Sequence, residues 1–465
     1  MSSDWKEYAL LDVFDVTNGL SKSREAFGFG YPFLTFKEIF NSYFVPDELV
    51  NLANTTEAER KKCSIKRGDV FITRTSETFD ELGITCVALK DYPNATFNGF
   101  TKRLRPNGKV KINPEYSSFY FKNASFRRQV LSLTNMTTRA SLNNEMLERL
   151  TIVLPPMEKQ KEIAKILVDC HNKIELNRQI NQTLEQIAQA MFKSWFVDFE
   201  PTRAKIAAKE AGGDQAAIEQ AAMCAISGKT SDQLNQSPPE TLAQLKATAA
   251  LFPDALVDSE LGEIPEGWEV SEIGKEVDVV GGGTPSTANV EFWDGGQHHW
   301  TTPKDLSNLT DKILLETDRK ITDAGLAKIS SGLLPQNTVL MSSRAPVGYL
   351  AIAKIPVAIN QGYIAMKCEK ILSPEYVVQW AESVMDEIKQ RSSGTTFAEI
   401  SKTNFRLIRV LVPSKDLIQA YTKDTSKFYE TITSLLLENL TLVSMRDSLL
   451  PRLLSGGTIF GVNDE

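Results

Sequence analysis

Two stretches of this chain carry apolar residues at alternating steps of four and three. Residues 158–196 contain neither proline nor glycine, and the seam runs Ile163, Leu167, Cys170, Ile174, Asn177, Asn181, Leu184, Ala188, Met191, Trp195. A second seam lies near the C-terminal end: Phe428, Ile432, Leu435, Asn439, Leu442, Arg446, Leu449, Leu453. Steps of this kind predict two long helices over 158–196 and 416–454, each with one apolar stripe interrupted by polar residues. Elsewhere the pattern changes. Over 1–155 and 265–413, short β-branched and aromatic runs are separated by Gly, Pro and Asn turns, as in mixed α/β units.

The two halves repeat one another. At an offset of 263 residues, Trp5 pairs with Trp268, Asp15 with Asp278, Val16 with Val279 and Gly19 with Gly282. Lys37-Glu38-Ile39 answers Lys304-Asp305-Leu306, and Val70-Phe71-Ile72-Thr73 answers Val339-Leu340-Met341-Ser342, each soon followed by an arginine, Arg74 or Arg344. Asn98 answers Asn360, and Pro114-Glu115-Tyr116 answers Pro374-Glu375-Tyr376. At an offset of 258, Thr137-Thr138 matches Thr395-Thr396, and the strand before Pro155 matches the strand before Pro413. The fixed order makes a duplication the natural reading.

In the same register Asn181 answers Asn439. A polar residue in a helical seam costs stability but selects register and direction, so the two long helices are expected to pair antiparallel. The seam residues of such a pair are Ile174, Asn181, Leu184 and Trp195 on the first helix and Ile432, Asn439 and Leu442 on the second. The simpler alternative is that each helix packs on its own domain. At ~1.5 Å per residue, either helix spans close to ~60 Å, enough for a spacer. The expected organisation is a domain over 1–155, a helix over 156–200, a connector over 201–264, a second domain over 265–413 and a second helix over 414–455. The connector is rich in Ala, Gln and Glu, contains one Ser-Pro-Pro break at 237–239, and reads as a linker with helical pieces. The fold class is α+β: two repeated mixed α/β domains separated by two long antiparallel helices.

Composition adds constraints. Hydrophobic residues make up 42% and charged residues 24%, as in a soluble globular chain. No apolar run is long enough to span a membrane, and the first residues show no basic-then-apolar signal pattern, so a cytoplasmic location is expected. Five cysteines at wide spacings, without a CxxC, fit a reducing compartment and argue against a structural zinc site. The net charge is −7, but its distribution is uneven. Residues 1–157 hold 21 basic and 18 acidic groups, whereas 201–267 hold 5 and 10. The first domain is therefore slightly basic, and much of the acidic excess lies in the connector.

Catalytic patterns are scarce. There is no GxxxxGK[ST], no GxGxxG opening a helix and no Asn-Pro-Pro-aromatic tetrad. Gly281-Gly282-Gly283-Thr284 lacks the lysine of a phosphate loop and reads as a tight turn. Asp47, Glu59 and Lys61 match a PD…ExK nuclease pattern, which could hold Mg2+ and activate water. His298-His299 are adjacent and poorly placed to share a metal. Basic residues beside aromatic and amide side chains are more suggestive of nucleic acid. In the first half these are Arg74, Lys102, Arg103, Arg105, Lys109, Lys111, Arg127, Arg128 and Arg139. The second half offers Arg344, Asn360, Gln361, Lys389, Arg391, Lys402, Arg406 and Arg409. Lys and Arg neutralise phosphates, while Arg, Asn and Gln can read base edges.

The whole pattern resembles the specificity subunits of Type I restriction–modification enzymes. The similarity rests on the Trp-led repeat starts at Trp5 and Gly267-Trp268, on Gly281-Gly282-Gly283-Thr284-Pro285-Ser286 and on Ser343-Arg344-Ala345-Pro346-Val347-Gly348. It also rests on Asn360-Gln361-Gly362-Tyr363, Gly394-Thr395-Thr396, the helix end Met191 to Pro201 and Leu261-Gly262-Glu263-Ile264-Pro265. The first half departs from it at Arg74-Thr75-Ser76, which lacks the Ala-Pro-x-Gly that follows Arg344. The resemblance implies two target-recognition domains on double-stranded DNA, one per half-site, with no catalytic or metal-binding residues in this chain. It implies two modification (methyltransferase) subunits docked on the long helices, and restriction–translocase subunits beyond them. S-adenosylmethionine, ATP and Mg2+ would be used by those partners. Arg74, Arg103, Arg105 and Arg139, with Arg344, Gln361 and Thr396, are the residues expected to face DNA. A stand-alone nuclease and a protein-binding scaffold are the alternatives.

Overall fold

A computed structural model describes residues 4–76, 81–133, 140–393 and 398–454. The chain divides into two compact units, 1–176 with 439–465, and 177–438. The two long helices, Met157–Phe196 and Lys415–Leu454, each contribute one part to either unit.

The first unit holds a four-stranded antiparallel sheet in the order Phe14–Asn18, Thr101–Pro106, Val70–Thr73, Thr85–Val87. Beside it, Phe27–Leu34 pairs antiparallel with Leu52–Ala53 and parallel with Thr96–Phe97. Lys6–Ala9 pairs with Thr151–Leu154. The core gathers Phe14, Val70, Ile72, Leu104, Phe119 and Phe121 with Ile163 and Leu167 of the first long helix and Leu450 and Leu453 of the second.

The second unit repeats this plan. Asp278–Val280, Tyr363–Lys367, Thr338–Ser342 and Leu350–Ala353 form an antiparallel sheet in the same order, extended by Ile313–Leu314. His298–Thr301 pairs antiparallel with Arg319–Ile321 and parallel with Val357–Ile359. Glu269–Glu272 pairs with Arg409–Val412. The registers bear out the duplication residue by residue: Asp15 faces Arg105 as Asp278 faces Lys367. Thr35 and Glu38 build a capping box, as do Thr302 and Asp305. Helices Pro114–Lys122 and Pro374–Ser383 both start with proline behind a side-chain cap, Asn113 or Ser373.

Gly19 and Gly282 show why the duplicated frame keeps glycine. A Cβ on Gly19 would lie 2.1 Å from the Asn98 carbonyl oxygen, and one on Gly282 would lie 1.9 Å from that of Ile359. The triple-glycine stretch is thus a site of close backbone approach rather than a phosphate cradle.

Within the second unit the long helices run antiparallel. Asn177 Nδ2 donates to Glu438 Oε2 at 2.7 Å, while Trp195 meets Tyr421 with ring centroids 5.9 Å apart. None of the seam positions read from the sequence is exposed: Ile174, Asn181, Trp195, Ile432 and Asn439 are buried, and Leu184 and Leu442 are half-buried. The helices also pack on the domain itself. Phe192 lies edge-on to Tyr376 at 5.1 Å, and Gln379 donates to the Tyr429 hydroxyl at 2.7 Å. Both readings of the helices therefore hold together.

The segment that reads as a linker is folded. It forms helices Glu200–Glu210, Gln215–Ser227, Ser231–Asn235 and Pro239–Ala250 around Ala222, Met223, Leu234 and Ala249. Phe252 packs edge-on against Trp195 at 5.1 Å. The Pro238-Pro239 pair that looked like a break is a helix start, because proline at the first helical position leaves no extra donor unsatisfied.

Candidate nucleic-acid interface

In each unit the middle of the main sheet delivers the chain into a loop that differs between the halves. Thr73 Oγ1 accepts from Ile84 N at 2.9 Å and donates to the Glu81 carbonyl at 2.7 Å. Ser342 Oγ accepts from Tyr349 N at 2.8 Å and donates to the Pro346 carbonyl at 2.8 Å. Gly83 N and Gly348 N close the two loops on the carbonyls of Thr73 and Ser342. The hydroxyl in each half pins a turn whose contents are free to vary, and the first loop is the longer.

This alignment corrects the pairing of the arginines. Arg74 N donates to the Phe100 carbonyl and Ser343 N to the Gly362 carbonyl, so Arg74 matches Ser343 rather than Arg344. The counterpart of Arg344, which bridges Glu399, is Thr75, which pairs with Ser141. Successive residues of extended chain point to opposite sides, so Arg74 and Arg344 are not structurally equivalent. Arg74 Nε donates to the Gly99 carbonyl at 2.8 Å, and Arg344 lies 3.7 Å from Glu399.

Asn98 and Asn360 are turn residues. Their Oδ1 atoms accept from Phe100 N at 2.7 Å and Gly362 N at 2.8 Å. Next to the second of these turns, Gln361 is exposed and accepts from Thr284 Oγ1 at 2.5 Å.

Arg103 and Arg105, expected to face DNA, are structural. They lie on Thr101–Pro106, which has strand partners on both sides. Arg103 is only 6% exposed and donates to the Ser64 carbonyl at 2.6 Å and to Thr17 Oγ1 at 3.0 Å. Arg105 forks onto the buried Asp69 carboxylate with both contacts at 2.6 Å. Lys102 is buried too, and its ammonium is pushed below its ordinary pKa by that burial. Neighbouring basic letters looked like a surface patch, whereas here Lys102 and Arg103 are buried, Arg105 is half-buried, and most of their polar contacts are made within the fold, Arg103 Nε alone being left without a partner. In the second half, Arg406 donates to the Val279 carbonyl and Arg409 pairs with Glu260 and Glu272. Lys109, Lys111, Arg128, Lys389 and Lys402 are exposed. Arg139 and Thr396 lie outside the described residues.

Each residue of the PD…ExK pattern takes a different partner. Asp47 pairs with Lys90 at 3.0 Å, Glu59 caps Thr56 and pairs with Lys22, and Lys61 pairs with Glu57. His298 meets Asp323 and His299 meets Thr317, so the adjacent imidazoles take separate partners. Among the described residues no group of three or more His, Cys, Asp or Glu side chains is arranged to hold a metal ion, and no helix is long and apolar enough to cross a membrane.

Sequence reasoning missed an aromatic cluster in the second unit. Trp293 and Trp300 pack edge-to-face at 5.0 Å, and the Arg319 guanidinium lies 3.5 Å from the Trp293 ring. The clue was the density of aromatic residues around Phe292-Trp293 and Trp300.

A duplicated fold with matched frames, divergent loops and two shared long helices defines a two-domain recognition protein. The family model for the Type I restriction modification DNA specificity domain matches residues 2–186 and 265–436, and the chain belongs to that family. The intervening helical segment falls largely outside the match. The chain is 31% identical to the Type I restriction enzyme HindI specificity subunit of Haemophilus influenzae, over 98% of this chain and 99% of that protein. It is 34% identical to the MjaIX specificity subunit of Methanocaldococcus jannaschii, over 38% of this chain and 41% of that one. The crystal structure of the Type I S subunit from M. genitalium has the same fold: TM-score 0.57 and 13% identity, covering 97% of this chain and 96% of that one.

Proposed function

We propose that this chain reads a bipartite, asymmetric DNA site without acting chemically on it. The observation that carries this reading is the contrast between the two halves. The strand order, the capping boxes and the Gly19 and Gly282 contacts are held in common, while the loops from Thr73 to Gly83 and from Ser342 to Gly348 differ in length and sequence. A frame that is kept while its loops change is what two readers of different sequences require.

In this reading, residues 1–155 and 265–413 are the target-recognition domains, and the paired helices set the gap between half-sites and dock two modification subunits. Restriction–translocase subunits join through these. S-adenosylmethionine, ATP and Mg2+ serve the partners. In the second domain, Arg344 in the variable loop and the exposed Gln361 beside the Asn360 turn are the candidate reading side chains. Thr396 is a further candidate in the second domain, and Arg74 and Arg139 are candidates in the first, whereas Arg103 and Arg105 hold the sheet.

The test is reconstitution. Purified with its cognate modification subunit, the chain should direct methyl transfer from S-adenosylmethionine to DNA carrying the site. Alone with Mg2+ it should neither methylate nor cut. Cutting by the isolated chain would favour the nuclease reading instead.

A further inference from the structure

We propose that Arg319, held on the face of Trp293, is a specificity-determining contact of the second target-recognition domain; this rests on the DNA-reading function above. Three observations lead to it.

The first is preorganisation. The guanidinium lies 3.5 Å from the Trp293 ring centroid and 5.7 Å from that of Trp300. A planar cation stacked on an indole keeps its N–H edges pointing outward, which suits bidentate donation to the O6 and N7 of guanine. The second is the state of those donors. In residues 265–413 the other arginines are engaged: Arg344 with Glu399, Arg391 with Glu387, Arg406 with the Val279 carbonyl, Arg409 with Glu260 and Glu272. The Arg319 side chain is exposed, and among the described residues its guanidinium has neither a carboxylate nor a carbonyl partner.

The third is its setting. The Trp293 indole N–H donates to the Ser286 carbonyl at 3.1 Å, and that of Trp300 donates to the Gly283 carbonyl at 3.1 Å. Between those two carbonyls stands Thr284, which is bonded to Gln361. The platform under Arg319 is thus tied to the loop that holds Gln361. The first half carries a related pair, with Arg60 3.7 Å from the Tyr31 ring, beside the corresponding three-stranded sheet. There, however, one guanidinium nitrogen donates to the Thr55 carbonyl. The two stacks stand on different elements, Arg60 on helix Glu57–Lys62 and Arg319 on strand Arg319–Ile321, and they differ in the donors they leave open.

The experiment compares the modification complex carrying the unaltered chain, Arg319→Ala or Arg319→Lys, by sequencing the methylated positions of a random-sequence DNA library. Thermal unfolding of each variant checks that the fold is kept, as an exposed side chain allows. The expected result is that both variants relax one base pair of the second block by about tenfold or more, while the first block is unchanged. Lysine should fail like alanine, because it keeps the charge but loses the planar fork. Uniformly weaker methylation with an intact motif would make Arg319 a phosphate contact and overturn the proposal, as would an unchanged motif. If the unaltered complex wrote no two-block motif, the underlying reading would fall along with this assignment.

Discussion

The side-chain amide of Asn177 donates to the Glu438 carboxylate at 2.7 Å, joining the two long helices through a charge-assisted hydrogen bond. One turn further along the first helix, Asn181 is fully buried, and neither atom of its amide has a hydrogen-bond partner. The two asparagines should therefore respond oppositely to substitution. Asn177→Ala removes a bond to an ionised group and should lower stability by about 1.5–3 kcal/mol. Asn181→Leu replaces a stranded amide with an apolar group of similar size and should raise stability by about 1–2 kcal/mol. Denaturant midpoints of the two variants at constant m-value check this.

Gly19 and Gly282 should be intolerant to the same degree, because each meets a backbone oxygen that cannot swing away. Alanine at either position should cost on the order of 3 kcal/mol. Alanine at Gly283, where a Cβ would meet nothing within 4 Å, is the matched control and should be nearly silent. Thermal melts of the three variants would decide.

Lys122 supplies a pH dependence. Its ammonium donates to the Ser42 carbonyl at 2.8 Å and lies 4.2 Å from the Tyr43 ring, and burial pushes its pKa down to about 8. Arg446 and Arg127 act in the same direction, and Cys86 opposes them. The unfolded value is about 10.4, so between the two the unfolded chain binds more protons and stability rises with pH. The Lys122 contribution is fully present above the unfolded value and is lost as pH falls through the folded one. The wild type should gain on Lys122→Met between pH 7.5 and 9.5. A constant difference in unfolding free energy across that window would contradict the assignment.

Much of the frame was legible because it is periodic or duplicated. Heptad steps marked both long helices, and Asp15 and Asp278, Gly19 and Gly282, and Asn98 and Asn360 fell into structural register. What escaped was whatever depends on which way a side chain points. Lys102-Arg103-Leu104-Arg105 reads as a basic patch, but an interior strand turns its cations inward onto Asp69, Ser64 and Thr17. Arg74 and Arg344 looked equivalent because both follow a matched strand, and a one-residue shift separates them. Arg319 was missed because its role comes from Trp293, which is distant in sequence.

The helices carry a prediction about spacing. Inserting four residues after Ile174 adds one turn, which lengthens the helix by about 6 Å and rotates its C-terminal part by roughly 40°. If the paired helices set the gap between half-sites, a variant that still assembles should prefer unchanged half-sites separated by about one or two more base pairs, at ~3.4 Å each. Methylation of a set of spacer-length substrates measures this, and retention of the original gap would show that the helices do not set it.

The most direct measurement is the methylome of cells carrying this chain with its cognate modification subunit and no other such system. The account predicts one motif made of two short, different blocks separated by unread base pairs. A palindromic motif, a single uninterrupted block, or no chain-dependent methylation would contradict it.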